Sequence, residues 1–293
     1  MAKDKTSILG TGLTGLVGSR IVELLAKKYE FENLSYETGI DITNKEQVKN
    51  AVFASKAKII LHFAAKTDVD ACEKDRELKN QGSTWLINVE GTRNLLEAAQ
   101  KTKKKFIYIS TDFVFDGNKD FYQEQDIPNP INWYAVTKHE GEKIVQSSGL
   151  PYLICRLAFP YRANFAPKKD LVRGLLEKLK NHEELKMVSD QFMTPTFIDD
   201  IAIAIDCLIA KEAEGIFHVV GSSFHTPLEV AHLLAETFSL DKSLIKEIDR
   251  ITYYQNKAPR PFSLRLKNDK LKKLKVEMLT LKQGLMALKG QRR

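Results

Sequence analysis

A chain of 293 residues, 43% of them hydrophobic, suits one large domain or two small ones with a real core. No apolar run approaches the roughly 20 residues of a membrane helix, the opening Met1-Ala2-Lys3-Asp4-Lys5 carries no signal-peptide segment, and Cys72, Cys155 and Cys207 are scattered without metal spacing, so a reduced cytoplasmic protein without a bound metal is expected. The net charge of +7 lies partly in 101–105 and 267–275; with no nucleic-acid motif beside it, a solvated surface is expected, compatible with an anionic small-molecule ligand.

In chain order, residues 6–9 are a short β-prone run ending in Gly10-Thr11-Gly12. A helix follows over 19–28, with Ile21, Leu24 and Leu25 on its buried face. The spacing then predicts a strand over 33–36, a helix over 45–55 and a buried strand over 58–62. An amphipathic helix spans 85–100, a strand 106–109, a helix 132–147 and a strand 152–157. Helices are predicted over 171–180 and 198–210, a strand over 216–220, and a helix over 227–238 with proline at its start. Residues from about 240 onward are mixed and lysine-rich. Alternating strands and helices imply an α/β fold of the Rossmann type, a doubly wound parallel sheet covered on both faces. The dinucleotide-binding domain is expected over 1–157, with 194–221 returning to it. A smaller, partly intertwined substrate-binding region is expected over 158–193 and 222–293.

Two groups of residues carry chemistry. Gly12-Leu13-Thr14-Gly15-Leu16-Val17-Gly18 is a GxxGxxG turn between a strand and a helix. Its glycines permit a tight turn and close approach of backbone to a pyrophosphate, and the helix start supplies N–H groups and partial positive charge. Tyr134 and Lys138 stand four apart on a helix and share a face. An ammonium beside a phenol favours the phenolate and lowers its pKa, which makes a proton donor and acceptor usable near neutral pH. Tyr253-xxx-Lys257 has the same spacing but lacks such company. Ser110-Thr111 is a hydroxyl cluster upstream of the first pair.

Ordered runs then carry a resemblance: Thr11-Gly12 with the glycine turn, Asp41-Ile42-Thr43, His62-Phe63-Ala64-Ala65, Thr67-Asp68-Val69-Asp70, Asn88-Val89-Glu90-Gly91-Thr92-Arg93-Asn94, and Ile109-Ser110-Thr111-Asp112-Phe113-Val114-Phe115-Asp116-Gly117. Tyr122-x-Glu124-x-Asp126-x-Pro128-x-Pro130, Tyr134-xxx-Lys138, Pro195-Thr196, Arg260-Pro261, Leu266 and Lys270-Leu271 continue it. The chain resembles extended short-chain dehydrogenases/reductases, and among them the dTDP-4-dehydrorhamnose reductase family. The likeness covers nearly the whole chain and is strongest before residue 140.

The resemblance implies NAD(P)H-dependent reduction of a nucleotide-linked 4-keto-deoxysugar. It assigns Thr111 to the substrate oxygen, Tyr134 to proton transfer, and Lys138 to the ribose and to lowering the Tyr134 pKa. The cofactor would contact Gly12, Thr14, Gly15, Leu16, Val17 and Gly18, then Asp41 and Ile42 by the adenine, and Phe63, Ala64, Ala65 and Lys66 along its middle. Thr67, Val69, Thr111, Asp112, Phe159 and Arg260 would meet the substrate. Asn88 would shape its helix and support a relay, and His62 would be structural. Glu37, closing the second strand, could accept from a ribose 2′-hydroxyl and would repel a 2′-phosphate, so NAD is favoured over NADP. Arg20, just past the third glycine, is the cation that argues the other way. The resemblance also leaves room for a homodimer.

The departures from the family fall after the catalytic helix. Phe159 stands where a Trp is expected, keeping a flat apolar surface without the indole N–H. Arg162 replaces a usual glycine, and Arg260-Pro261-Phe262-Ser263-Leu264 lacks the Asn that often follows Arg-Pro. These three changes are expected to leave the cofactor site intact and to bear on the substrate. Two other functions compete: a sugar-nucleotide epimerase or dehydratase, for which Asp112 beside Thr111 would serve, and a non-catalytic dinucleotide-binding subunit like the β subunit of methionine adenosyltransferase.

Overall fold

The computed structural model describes residues 5–292. In chain order the first half runs β1 (Thr6–Thr11), α1 (Gly18–Leu25), β2 (Tyr29–Leu34), α2 (Lys45–Ala54), β3 (Ile59–His62) and α3 (Val69–Lys74). Next come α4 (Ser83–Trp85), a π turn (Leu86–Glu90), α5 (Gly91–Thr102), β4 (Lys105–Thr111), α6 (Trp133–Gln146) and β5 (Tyr152–Leu157). The second half runs β6 (Pro160–Tyr161), α7 (Leu171–Lys180), β7 (Leu185–Val188), β8 (Thr196–Phe197), α8 (Ile198–Ala210) and β9 (Gly215–His218). It ends with α9 (Pro227–Phe238), β10 (Ile245–Ile248), α10 (Arg250–Tyr253), α11 (Asp269–Lys273) and α12 (Leu281–Gln291).

Six strands form one parallel sheet in the order β2-β1-β3-β4-β5-β9. Side chains alternate across it. Ile8, Leu61 and Ile107 face Ile21, Ile201 and Ile205 of α1 and α8. Leu9, Ile60 and Phe106 face Val48, Val52, Leu95 and Val145 of α2, α5 and α6. Both faces are therefore covered, which is why the central strands are apolar throughout. Chain order reverses between β1 and β3, so a crevice opens beyond their carboxyl ends, the usual ligand position in such sheets. A second core joins α7, α9 and α12 around Leu175, Leu179, Val230, Leu234, Leu285 and Leu288. Beside it lie two small parallel pairs, β6 with β8 and β7 with β10.

The structure corrects several expectations. The second strand is Tyr29–Leu34, ahead of the expected 33–36, and Tyr36–Thr38 is a 3-10 turn. This strand lies at the sheet edge, where Glu30 and Glu32 break the apolar pattern. The first helix ends at Leu25, and Leu24 is 39% exposed, because α1 packs on the core through Ile21 with Val17 and Leu25. The expected 85–100 helix is a chain of α4, the π turn and α5. The strand expected over 216–220 is Gly215–His218. Among the described residues no helix is long and apolar enough to cross a membrane.

Candidate active site

The glycine turn follows β1 into the crevice. Gly12 has φ +65°, and a Cβ there would lie 2.7 Å from the Ala64 nitrogen, while a Cβ on Gly18 would lie 2.5 Å from the Gly12 oxygen. Glycine is thus required for the turn itself. Gly15 N–H donates to the Gly12 oxygen at 3.1 Å, bending Thr14, Gly15 and Leu16 into α1. That helix begins with no side-chain cap and no acidic residue in its first turn, so its positive end stays available to an anion. These features fit a dinucleotide pyrophosphate. Ile42 is buried against Gly91, and its carbonyl accepts from Asn94 at 3.0 Å. Asp41 accepts from the Thr43 backbone and hydroxyl, each at 2.8 Å. Glu37 is exposed in the turn after β2.

A buried hydrogen-bond chain fixes the neighbouring wall. Ala64 N–H donates to Thr11 Oγ1 at 3.1 Å, and Thr11 Oγ1 lies 2.6 Å from His62 Nδ1. His62 Nε2 lies 2.9 Å from Thr92 Oγ1, which donates to the Asn88 carbonyl at 2.7 Å. Because the Thr92 proton is used on Asn88, His62 must donate from Nε2 and accept at Nδ1. Burial drives this histidine down to about 3, with Lys138 adding to the effect, so it stays neutral. The Asn88 side chain accepts from Lys66 N at 2.8 Å and donates to Thr137 Oγ1 at 3.0 Å. It thereby ties the segment after β3 to α6.

Helix α6 carries Tyr134 and Lys138. Asn132 caps it, accepting from Ala135 N at 2.9 Å. Gly141 brings it onto β4, where any Cβ would lie 2.2 Å from the Tyr108 hydroxyl. Lys138 is buried, with Nζ donating to the Ile109 carbonyl at 2.7 Å and sitting 4.1 Å from the Tyr108 ring centroid. Burial pulls its ammonium down to about 7, against a pull upward from Glu142 one turn on. Tyr134 departs from the expectation drawn from spacing. Burial pushes its phenol well above the ordinary value by desolvating the phenolate, with Thr111 the chief opposing influence and the Asp112 carboxylate adding to the rise.

An expected outcome follows for proton linkage. With Lys138 at about 7, much of it is uncharged at mildly alkaline pH. A dinucleotide is anionic and would raise that value. Binding calorimetry in buffers of different ionisation enthalpy should show proton uptake above neutral pH and almost none at pH 6. Proton release, or no linkage, would exclude Lys138 from the dinucleotide site.

Thr111 ends β4, donating to Asp112 Oδ1 at 3.0 Å and accepting from Phe113 N at 3.3 Å. Burial raises the Asp112 carboxyl to about 7, and its Oδ2 is buried without a hydrogen-bond partner among the described residues. The Phe113 ring stands 6.1 Å from Tyr134 and 6.0 Å from Phe159, forming an aromatic wall. Phe159 has φ +40°, a strained conformation for a bulky residue. Val69 opens α3, and Thr67 precedes it. Arg260 donates to Asp70 at 2.9 Å, closing the segment 254–262 onto α3.

Two arginines lie elsewhere than expected. Arg162 touches the glycine turn and not the substrate side, bonding the Leu16 carbonyl, Ser19 Oγ at 2.8 Å and both Glu23 oxygens at 2.8 Å. Arg20 grips Asp199 with two bonds of 2.7 Å. The His62 chain, the Gly141–Tyr108 contact and the loop residue Lys168 were not anticipated. Only Gly141 left a signal, since a glycine inside a helix is costly unless something packs closely on it. Among the described residues no cluster of three or more His, Cys, Asp or Glu could hold a metal.

The chain matches the family profile of the RmlD substrate binding domain over residues 6–289. It is 32% identical over 225 residues to a dTDP-4-dehydrorhamnose reductase of Aggregatibacter actinomycetemcomitans, covering 73% of each chain. It is 28% identical over 254 residues to the methionine adenosyltransferase 2 subunit beta of Bos taurus, covering 82% of this chain and 75% of the other. The crystal structure of a dTDP-4-dehydrorhamnose reductase from Bacillus anthracis in complex with NADP superposes with a TM-score of 0.90 at 28% identity, over 98% of this chain and 100% of that one.

Proposed function

The chain belongs to the RmlD substrate binding domain family, and on that premise we propose that it is an oxidoreductase reducing a nucleotide-linked 4-keto-deoxysugar with NADH or NADPH. What carries the reading is the complete set of Thr111, Tyr134 and Lys138, with Thr111 and Tyr134 close enough to influence each other and Lys138 one turn along the same helix. The bound dinucleotide supplies the hydride to the carbonyl carbon. Thr111 hydrogen-bonds the carbonyl oxygen, Tyr134 gives it a proton, and Lys138 holds positive charge beside the emerging phenolate. Tyr134 is protonated at neutral pH, as a donor must be, but burial makes it a weak acid; the positive charge on Lys138 is what would favour the phenolate as the proton leaves.

The cofactor lines Gly12 to Gly18, Asp41, Ile42 and Phe63 to Lys66; the sugar nucleotide meets Thr67, Val69, Asp112, Phe159 and Arg260. The dinucleotide-binding part comprises 1–157 with 194–221, and the remainder binds substrate. An exposed Glu37 prefers a free ribose 2′-hydroxyl and makes NADH the favoured donor, although the similar Bacillus anthracis reductase was crystallised with NADP. We place the protein in the cytoplasm, and the family likeness leaves room for a homodimer.

The test is to mix purified protein with NADH or NADPH and with dTDP-, UDP- or GDP-linked 4-keto sugars, following loss of reduced-nicotinamide absorbance. Turnover is expected, highest with the dTDP sugar and with NADH. Absence of turnover on every sugar, together with a stoichiometric co-purifying protein, would point to a binding subunit like that of methionine adenosyltransferase. A tightly retained dinucleotide that is never consumed would point to an epimerase.

A further inference from the structure

Three cations from two separate stretches of chain converge on residues 67–70. Arg260 donates to Asp70, Lys257 adds positive charge near the same carboxylate, and Lys168 Nζ donates to Thr67 Oγ1 at 3.2 Å. Arg260 is committed to Asp70 and to the Tyr254 ring, 5.4 Å away. Neighbouring Lys66 is committed to Asp75 and Ser83, and Lys169 pairs with Glu177. Lys168 differs. Among the described residues it has no carboxylate partner, and its ammonium rests on a neutral hydroxyl.

The backbone presenting Lys168 is held firmly. Arg173 is buried and binds Asp170 Oδ2 through Nε at 2.6 Å, while its two other nitrogens bond the carbonyls of Phe165 and Lys168. At the other end, buried Arg162 is fixed to the start of α1. The loop 162–170 therefore closes on itself, Arg162 N–H donating to Asp170 Oδ2 at 3.4 Å; from it Arg162 reaches the turn after β1 and the Lys168 side chain reaches Thr67 in the segment after β3. A cation held there by a preorganised loop favours an anion without the entropy of ordering a free chain.

Resting on the sugar-nucleotide reading, we infer that Lys168 is a specificity residue for the diphosphate of the substrate. Without substrate its ammonium is parked on Thr67. Substrate entry transfers it to the diphosphate oxygens and releases the Thr67 hydroxyl toward the sugar. The dinucleotide pyrophosphate is already served by the glycine turn and the α1 N-terminus, so the anion assigned to Lys168 is the substrate's.

The experiment compares wild type with Lys168→Met and Lys168→Arg, using dTDP and dTMP as binding probes and the dTDP-keto sugar in turnover. In Lys168→Met the Kd for dTDP and the KM should rise about tenfold, as for loss of one charged hydrogen bond. The kcat and the Kd for reduced dinucleotide should stay unchanged, and preference for dTDP over dTMP should shrink. Lys168→Arg should recover most of the affinity. Unchanged dTDP binding in Lys168→Met, or a loss confined to the dinucleotide, would overturn the assignment. If wild type binds dTDP through Lys168 yet turns over no sugar nucleotide, the reductase reading fails while this one stands.

Discussion

Tyr134→Phe should lower hydride transfer by about 10²- to 10⁴-fold, the usual worth of a positioned proton donor, and leave dinucleotide binding nearly intact. The substitution removes one oxygen from a buried ring. The ring keeps its edge contact with Phe113, and Thr111 keeps Asp112 as a hydrogen-bond partner, so no polar group is stranded. Lys138 remains on the Ile109 carbonyl. The loss should therefore fall on kcat, with the dinucleotide Kd and the unfolding midpoint close to wild type. Single-turnover absorbance and binding calorimetry separate the two. Equal turnover in both proteins would remove Tyr134 from the chemistry.

That expectation needed the structure as well as the spacing. The four-residue interval puts Tyr134 and Lys138 on one face and suggests a lowered tyrosine pKa. Burial, which spacing does not reveal, reverses the sign. The central sheet was legible for a related reason. Strands β1, β3 and β4 are covered on both faces and so are apolar throughout, and α6 announces its start with the Asn132 cap. Edge strand β2 carries Glu30 and Glu32 and has no such signature. The pairs β6 with β8 and β7 with β10 depend on partners tens of residues away, as in Pro160 opposite Thr196, and leave no local period. The His62 chain likewise joins Thr11, His62 and Thr92, hydroxyl and imidazole residues unremarkable one by one. Motif resemblance points to the residues proposed for the chemistry. It could not show that Arg162 reaches the glycine turn or that Lys168 reaches Thr67.

Arg156→Met should destabilise the protein by about 3–5 kcal/mol, the cost of leaving a buried charge unpaired. Arg156 on β5 grips Glu142 on α6 with bonds of 2.9 and 2.7 Å, and both side chains are buried. Burial alone would raise the Glu142 carboxyl, but Arg156 outweighs it and holds it at about 2. In wild type this pair's stability is present above the ordinary carboxylate value of 4.5 and is lost as pH falls toward 2. In Arg156→Met the sign reverses. Burial without the cation raises the carboxyl above 4.5, so the native state binds more protons than the unfolded state. Its stability then falls as pH rises, and the deficit against wild type is largest near neutrality. Urea unfolding at pH 5 and pH 7.5 compares the variant's deficit against wild type at the two values; equal deficits would exclude an uncompensated Glu142. The double variant Glu142→Leu with Arg156→Met should recover most of the stability, since apolar replacement of a buried pair is commonly neutral or better. Activity should not follow. Lys138 lies one turn before Glu142 and loses the carboxylate that holds its ammonium up, so the double variant should fold well and lose rate progressively from neutral pH upward. A stable double variant with wild-type activity at pH 8 would show that Glu142 serves the fold alone; a stable but alkaline-sensitive one ties this buried pair to the charge on Lys138.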